Sequence, residues 1–229
     1  MSRSADLIYR SAAAGKSCWS RNHHGDRRDL PIARWMGGPQ STPQDRSADE
    51  HVLALCSSRP TLDVGCGPGR FAAALQQRGL PALGIDSSSA AVEMTRRRGA
   101  AAIRRDLFAP LPAEGSWDQV LLTDGNIGIG GDPVHTLRRA AELLAPGGTV
   151  IAEIDCPATS LCHEMIRWET DHHFGHWFPW SRVGLGALAG VALAAGLLVT
   201  QAVDIHNRVI AVLKADTGRP RGIRDGALA

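Results

Sequence analysis

From residue 60 onward the chain alternates short apolar runs with helical-period stretches. The runs at 61–64 (TLDV), 82–86 (ALGID), 101–104 (AAIR), 118–123 (DQVLLT) and 149–154 (TVIAEI) predict strands, and helices are predicted at 69–79, 88–98 and 133–144. Strands that alternate with helices imply a parallel α/β sheet covered on both faces, a Rossmann-like doubly wound arrangement. The end of the chain breaks this rhythm. LLVTQAVDI (197–205) and RVIAVLKA (208–215) are separated only by His206-Asn207, too short for a helical crossover, so they predict an antiparallel hairpin at the sheet edge and seven strands in all.

Residues 1–46 are polar and turn-rich, with small helices predicted around 7–9 and 32–36, and read as an N-terminal helical cap. A helix at 47–56 is announced by Ser47 with Glu50 three residues later, a capping-box pattern. The main domain then covers 47–216, with residues 156–182 as an insertion or lid and 217–229 as a flexible tail. Residues 183–203 carry no charge and are about long enough to span a bilayer, but they are rich in Ala and Gly and include Thr200 and Gln201. They divide better into a buried helix at 183–195, a stop at Gly196 and a strand from 197.

Composition narrows the class. With 229 residues, 44% hydrophobic and 21% charged, the chain is globular, and a net charge of +2 provides no global field for nucleic acid or an anionic membrane. Only Lys16 and Lys214 are lysines; the arginine excess beside abundant Ala and Gly matches GC-rich codon usage. Five cysteines without CxxC spacing argue against a disulfide framework, and the N-terminus lacks the apolar core of a secretory signal, so a reducing cytosol is expected. Arg96, Arg97 and Arg98 fall late in a predicted helix, where cations suit the macrodipole, and no aromatic interleaves them as nucleic-acid binding would require.

The sharpest motif is LDVGCGPGR at 62–70, a strand, a glycine-rich turn and a helix start. Gly65 and Gly67 let a ligand approach the backbone, and the helix start offers free N–H groups. A dinucleotide fingerprint needs a small residue at the place Arg70 holds. The glycines at 65, 67 and 69 instead form G-x-G-x-G, preceded by Asp63, an acid better suited to a cationic ligand than to a pyrophosphate. Asp86 and Asp106 each end a predicted strand. Taken singly, Asp86 reads as a helix cap and Asp106 as a turn cap; together with Asp63 they mark one edge of the sheet, where ligands of such folds bind.

These residues resemble class I S-adenosylmethionine-dependent methyltransferases from about 47 to 215, in particular a branch of small bacterial ones. The resemblance implies that the loop with Asp63, Gly65, Cys66, Gly67 and Gly69 cradles the methionine and ribose portions of the cofactor. It implies that Asp86, with Ser87 beside it, holds the ribose hydroxyls, and that Asp106 and Leu107 flank the adenine. Asp124 and Gly125 fall where the family holds the cofactor and begins its substrate pocket. Such a protein would move a methyl group from S-adenosylmethionine, leaving S-adenosylhomocysteine, to a small-molecule acceptor, with neither nucleic acid nor membrane as partner. The acceptor atom and the oligomeric state stay open. A binding module that has kept the fold without turnover and a dinucleotide oxidoreductase are the alternatives.

For the acceptor side, 156–182 holds Trp168, Trp177 and Trp180 together with Phe174 and Phe178, suited to an apolar substrate or to packing of the lid itself. His163 is the candidate general base. His172 and His176 would share a helix face at i, i+4, but no third ligand is fixed by spacing, so no metal is expected. Tyr9 and Arg34-Trp35 in the cap are the next place for a substrate wall.

Overall fold

The computed structural model describes residues 2–56, 59–154 and 160–216; the tail expected over 217–229 and the first residues of the lid lie outside them. In chain order the elements are α1 (Ser2–Ala13), β1 (Trp19–Asn22), β2 (Arg27–Asp29), α2 (Ile32–Met36), α3 (Pro43–Leu55), β3 (Thr61–Val64), α4 (Arg70–Gln77), β4 (Ala82–Asp86), α5 (Ser89–Arg97) and β5 (Ala102–Arg104). There follow β6 (Trp117–Leu122), α6 (Pro133–Leu143), β7 (Leu144–Ile154), β8 (Leu161–Thr170), β9 (His173–Phe174), β10 (Phe178–Val183), α7 (Leu185–Ala194), β11 (Leu197–Ile205) and β12 (Arg208–Ala215).

Seven strands form the main sheet in the order β11-β12-β7-β6-β3-β4-β5. The pairs among β7, β6, β3, β4 and β5 are parallel, whereas β12 runs antiparallel to both β7 and β11. The strand order reverses between β3 and β6, so the crevice beyond their carboxyl ends is the switch point at which ligands of such folds bind. Alternation along the strands feeds two cores. Val120 and Leu122, with Val150, Ala152 and Val209, pack toward α6 and α7, while Leu121, Ile151 and Ile210 pack toward α3 and α4. Burial on both faces explains the near-continuous apolar runs. His206 and Asn207 both take left-handed backbone, φ 54° and 64°, the geometry a two-residue hairpin turn requires.

The apolar stretch at 183–203 divides into α7 and β11 as the glycines imply, with Leu188, Val191 and Ala192 buried. Among the described residues no helix is long and apolar enough to cross a membrane.

Three expectations are corrected. The helix expected from Ser47 begins at Pro43, because Thr42 is a better cap. Its Oγ1 accepts from the Asp45 N–H at 3.0 Å, Asp45 returns a bond to the Thr42 N–H, and Pro43 presets the first turn. The strand expected from 149 starts at Leu144, directly after α6. The N-terminal cap is not helical throughout: β1 and β2 form a hairpin that joins the lid strands in a second, antiparallel sheet, β10-β8-β1-β2, with β9 also on β8. A buried carboxylate staples the two segments. Glu169 is fully buried in β8 and accepts from Trp19 Nε1 at 2.7 Å and from Arg21 and Arg167 at 2.9 and 2.7 Å.

Candidate functional site

The turn after β3 carries Gly65, Gly67 and Gly69 in left-handed backbone, at φ 64°, 52° and 82°. A Cβ on Gly69 would meet the Thr95 side chain at 2.6 Å, and one on Gly65 would meet Asn126 Nδ2 at 2.6 Å. Those neighbours hold the loop: Asn126 Nδ2 donates to the Val64 and Gly65 carbonyls, and Thr95 Oγ1 donates to the Gly67 carbonyl. Cys66 is buried, and its N–H donates to the Ile85 carbonyl. Asp63 lies beneath the loop, not on the cavity side. Its Oδ2 accepts from the Ala72 N–H at 3.2 Å and so anchors α4, its Oδ1 is buried without a partner, and burial pushes it up to about 7.

Asp86 ends β4 on the cavity wall. Its carboxylate accepts from the Gly67 N–H at 3.0 Å and the Ser88 N–H at 2.8 Å, and burial raises it to about 6 despite those bonds. It is not the cap of α5; Ser88 is, accepting from the Ala91 N–H. Ser87, Asp106, Leu107 and Ile129 wall a smaller cleft beside Asp86. Asp106 also holds its own turn, accepting from the Phe108 N–H at 2.9 Å.

The main cavity, about 360 Å³, lies between this edge and the second sheet. Gly65, Gly67, Asp86, Asp124 and Gly125 line one side, and Tyr9, Trp35, Ile166, Trp168 and Trp180 line the other. Tyr9 is placed by α1, whose Asp6 accepts from the Ala90 N–H and the Ser88 hydroxyl at the start of α5. Burial, then the nearby Asp86 charge, push the Tyr9 phenol well above its ordinary range, so it is neutral. Phe178 packs edge-on against both Trp168 and Trp180, at 5.2 and 6.3 Å between ring centroids, and fixes their orientation.

Several lid residues are not brought to the cavity. His163 faces the other side of β8, with Nδ1 3.0 Å from the Gly131 carbonyl and 2.7 Å from Ser181 Oγ, and among the described residues no histidine lines the cavity; its candidacy as a base is therefore withdrawn. Trp177 is 43% exposed and lies under Arg167, and Phe174 is exposed beside it. His172 and His176 sit in the turn and loop flanking β9, not on a helix, so the i, i+4 argument does not apply.

The floor of the cavity is a buried ion network that the sequence reading passed over. Arg70 donates to Asp49 at 2.7 Å and to Asp124 at 2.5 Å. Arg208 donates to both oxygens of Glu153, at 2.8 and 2.7 Å, and to Asp49 at 2.7 Å. Arg34 reaches Asp45 at 2.9 Å and Glu153 at 3.7 Å. Burial alone would raise Glu153, but the bonds and charge of Arg208 outweigh it and hold the carboxyl below its usual range. Glu153 and Arg208 stand in strands that are otherwise apolar, and a charge in a buried strand demands a partner; that was the available signal.

Comparison with known proteins follows this geometry. A family model described as a methyltransferase domain matches residues 45–202. Comparison with curated protein sequences gives no significant match. Among solved structures, the chain is similar to an S-adenosylmethionine-dependent methyltransferase from Bacteroides fragilis in complex with S-adenosyl-L-homocysteine. That match has 21% identity, covers 93% of this chain and 94% of that one, and has a TM-score of 0.74. The CcbJ methyltransferase from Streptomyces caelestis matches at 20% identity over 78% and 92% of the two chains, TM-score 0.58. The glycopeptide N-methyltransferase MtfA, complexed with S-adenosylmethionine, matches at 13% identity over 74% and 86%, TM-score 0.57.

Proposed function

The chain belongs to the methyltransferase domain family, and from that membership we propose that it moves a methyl group from S-adenosylmethionine to a nucleophilic atom of a small-molecule acceptor. One observation carries the reading. The glycine loop and Asp86 border one cavity with Trp168 and Trp180, so a cofactor side and an acceptor side face each other.

The residues suit the cofactor. Gly67, left-handed and on the cavity, keeps a Cβ out of the space beside Tyr9, and the buried Asp86 carboxylate on the same wall could accept from ribose hydroxyls. When bound, the cofactor supplies an activated methyl group on a positively charged sulfur. Asp86, with Ser87 beside it, would hold the ribose, Asp106 and Leu107 the adenine, and the loop with Asp124 and Gly125 the remaining end. Trp168 and Trp180 orient the acceptor and exclude water, and positioning of this kind lowers a transfer barrier without a fixed triad. A dinucleotide oxidoreductase is disfavoured because Arg70 fills the place of the third small residue and is tied into the ion network.

The cavity is of a size for a metabolite or natural product. The arginines at 96–98 are engaged locally, Arg96 with the Ala102 carbonyl, Arg97 with Glu93 and Arg98 with the Met36 carbonyl, which supports a reading without nucleic acid. The four described cysteines are unpaired, in keeping with a reducing cytosol.

Transfer of a labelled methyl group from S-adenosylmethionine into a metabolite extract tests turnover; cofactor binding without transfer to any fraction would favour the binding-module alternative. Once an acceptor is in hand, Trp168→Ala is expected to lower kcat/KM by at least about tenfold with cofactor affinity and melting temperature nearly unchanged. Trp177→Ala, outside the cavity, is expected to leave kcat/KM within about twofold. Equal losses in the two variants would move the acceptor site away from the β8–β10 wall.

A further inference from the structure

Five arginines line the cavity, and four of them are held by carboxylates. Arg34 pairs with Asp45, Arg70 with Asp49 and Asp124, Arg182 with Glu164 at 3.2 Å, and Arg208 with Glu153. Arg28 is the exception. Among the described residues its side chain has neither an ion pair nor a hydrogen bond, although the residue lines the cavity. Asp29, next to it in the chain, is taken by Arg27.

Strand pairing shows which wall this cation belongs to. Arg28 stands opposite Ser20, and Ser20 opposite Trp168, so the three share the face of the second sheet that carries Trp168 to the cavity. β2 and β10 are the outer strands of the path β10-β8-β1-β2, with Arg28 on one and Arg182 on the other. Both nevertheless bear on one group: burial and then Glu164 push the Cys162 thiol up, and the charges of Arg182 and Arg28 pull it back. The sheet therefore curls around the cavity and brings the Arg28 guanidinium toward the side of Arg182 and Trp180. The cofactor edge is served by other cations. Burial raises the Asp124 carboxyl, and the charges that pull it back are those of Arg70, Arg208 and Arg34. The unspent guanidinium thus lies on the acceptor side, away from the place assigned to the amino-acid end of the cofactor.

We propose that the acceptor is a monocarboxylic acid with an apolar or aromatic body, its carboxylate held by Arg28 and its body by Trp168 and Trp180. This rests on the methyltransferase reading above and names the substrate class of that same site. A guanidinium presents a planar fork of donors that a carboxylate fits with two parallel hydrogen bonds. One unspent cation matches one negative charge, whereas a phosphate dianion would leave a charge over beside the aromatic wall. A neutral acceptor would leave the fork unused. The two tryptophans supply apolar area for the rest of the molecule, and Phe178 between them keeps their faces fixed.

The test titrates the protein loaded with S-adenosylhomocysteine with indole-3-acetate and 3-phenylpropionate, each against its matched neutral amide, by calorimetry at neutral pH. The acids are expected to bind at least about fivefold more tightly than the amides, a modest gain because Arg28 is exposed and its charge is partly screened. Arg28→Gln is expected to erase that preference while changing S-adenosylhomocysteine affinity by less than about twofold. The variant should fold, since only the Arg28 carbonyl, which accepts from Ser20 Oγ, is engaged; Arg28→Ala takes its place if it does not. No preference in the wild-type protein, no binding of either acid, or a preference kept in the folded variant overturns the proposal. Loss of S-adenosylhomocysteine affinity in the variant would give Arg28 to the carboxylate of the cofactor and overturns it too. A parallel titration of unloaded protein with S-adenosylhomocysteine separates the two readings: no binding there sinks the methyltransferase reading, whereas binding there without a preference for acids sinks only this one.

Discussion

Valine in place of Gly67 is expected to abolish S-adenosylhomocysteine binding, with a loss of at least about a hundredfold, roughly 2.7 kcal/mol. The backbone at Gly67 is left-handed at φ 52°, where a β-branched residue is a true outlier and costs about 1–3 kcal/mol. Its Cβ would stand 3.1 Å from Tyr9 Oη, in the space between the loop and α1. The same residue ties the loop together, donating its N–H to Asp86 and accepting from Thr95 at its carbonyl, so a shift there misplaces the ribose carboxylate as well. The fold should survive, because strain of this size is less than the stability of an ordinary domain. Calorimetry beside a thermal melt checks both halves. Unchanged affinity in a folded variant would make the loop a structural turn and nothing more.

Replacing Arg208 by alanine carries the largest expected effect on stability. Arg208 is 3% exposed and joins β12 to both Glu153 on β7 and Asp49 on α3. Its removal leaves two carboxylates buried with one cation fewer, and breaking a buried pair in this way costs about 3–5 kcal/mol. Arg78→Ala, which removes an exposed pair with Glu50, should cost less than about 1 kcal/mol. Urea unfolding at neutral pH measures the difference. Acid should narrow it, and the sign follows from Glu153. Its folded carboxyl lies below the ordinary 4.5, so the stability from the pair is full above that value and is lost as pH falls through the lower folded one. An Arg208 variant as stable as the Arg78 variant would mean that the network adds nothing to the fold.

The sheet was legible because its strands are buried on both faces and bounded by glycine turns; 61–64, 82–86 and the hairpin about His206-Asn207 all stand where the pattern puts them. The second sheet was not. WSRN and RRD are short and polar; RRD pairs only with WSRN, and WSRN joins the second sheet only through β8, a contact across about 150 residues that no local pattern announces. Aromatic density drew attention to the lid without saying which ring faces inward. Trp168 and Trp180 lie on β8 and β10, where the pleat directs them, whereas Trp177 precedes β10 and points to solvent. His163 failed for the same reason, since a strand residue's face depends on a pairing the sequence does not display. The ion network was half visible: Arg70 was noticed for what it excludes, not for Asp49, Asp124 and the cavity floor it builds.

The central claim is that the glycine loop at 65–69 and Asp86 on the cavity, with Asp106 in the cleft beside them, hold an adenosyl cofactor of methyl transfer. Calorimetric titration of the purified wild-type protein with S-adenosylhomocysteine, and in parallel with NADH, tests it most directly. The account predicts saturable, one-to-one binding of S-adenosylhomocysteine and none of NADH; binding of NADH without S-adenosylhomocysteine, or of neither, would contradict it.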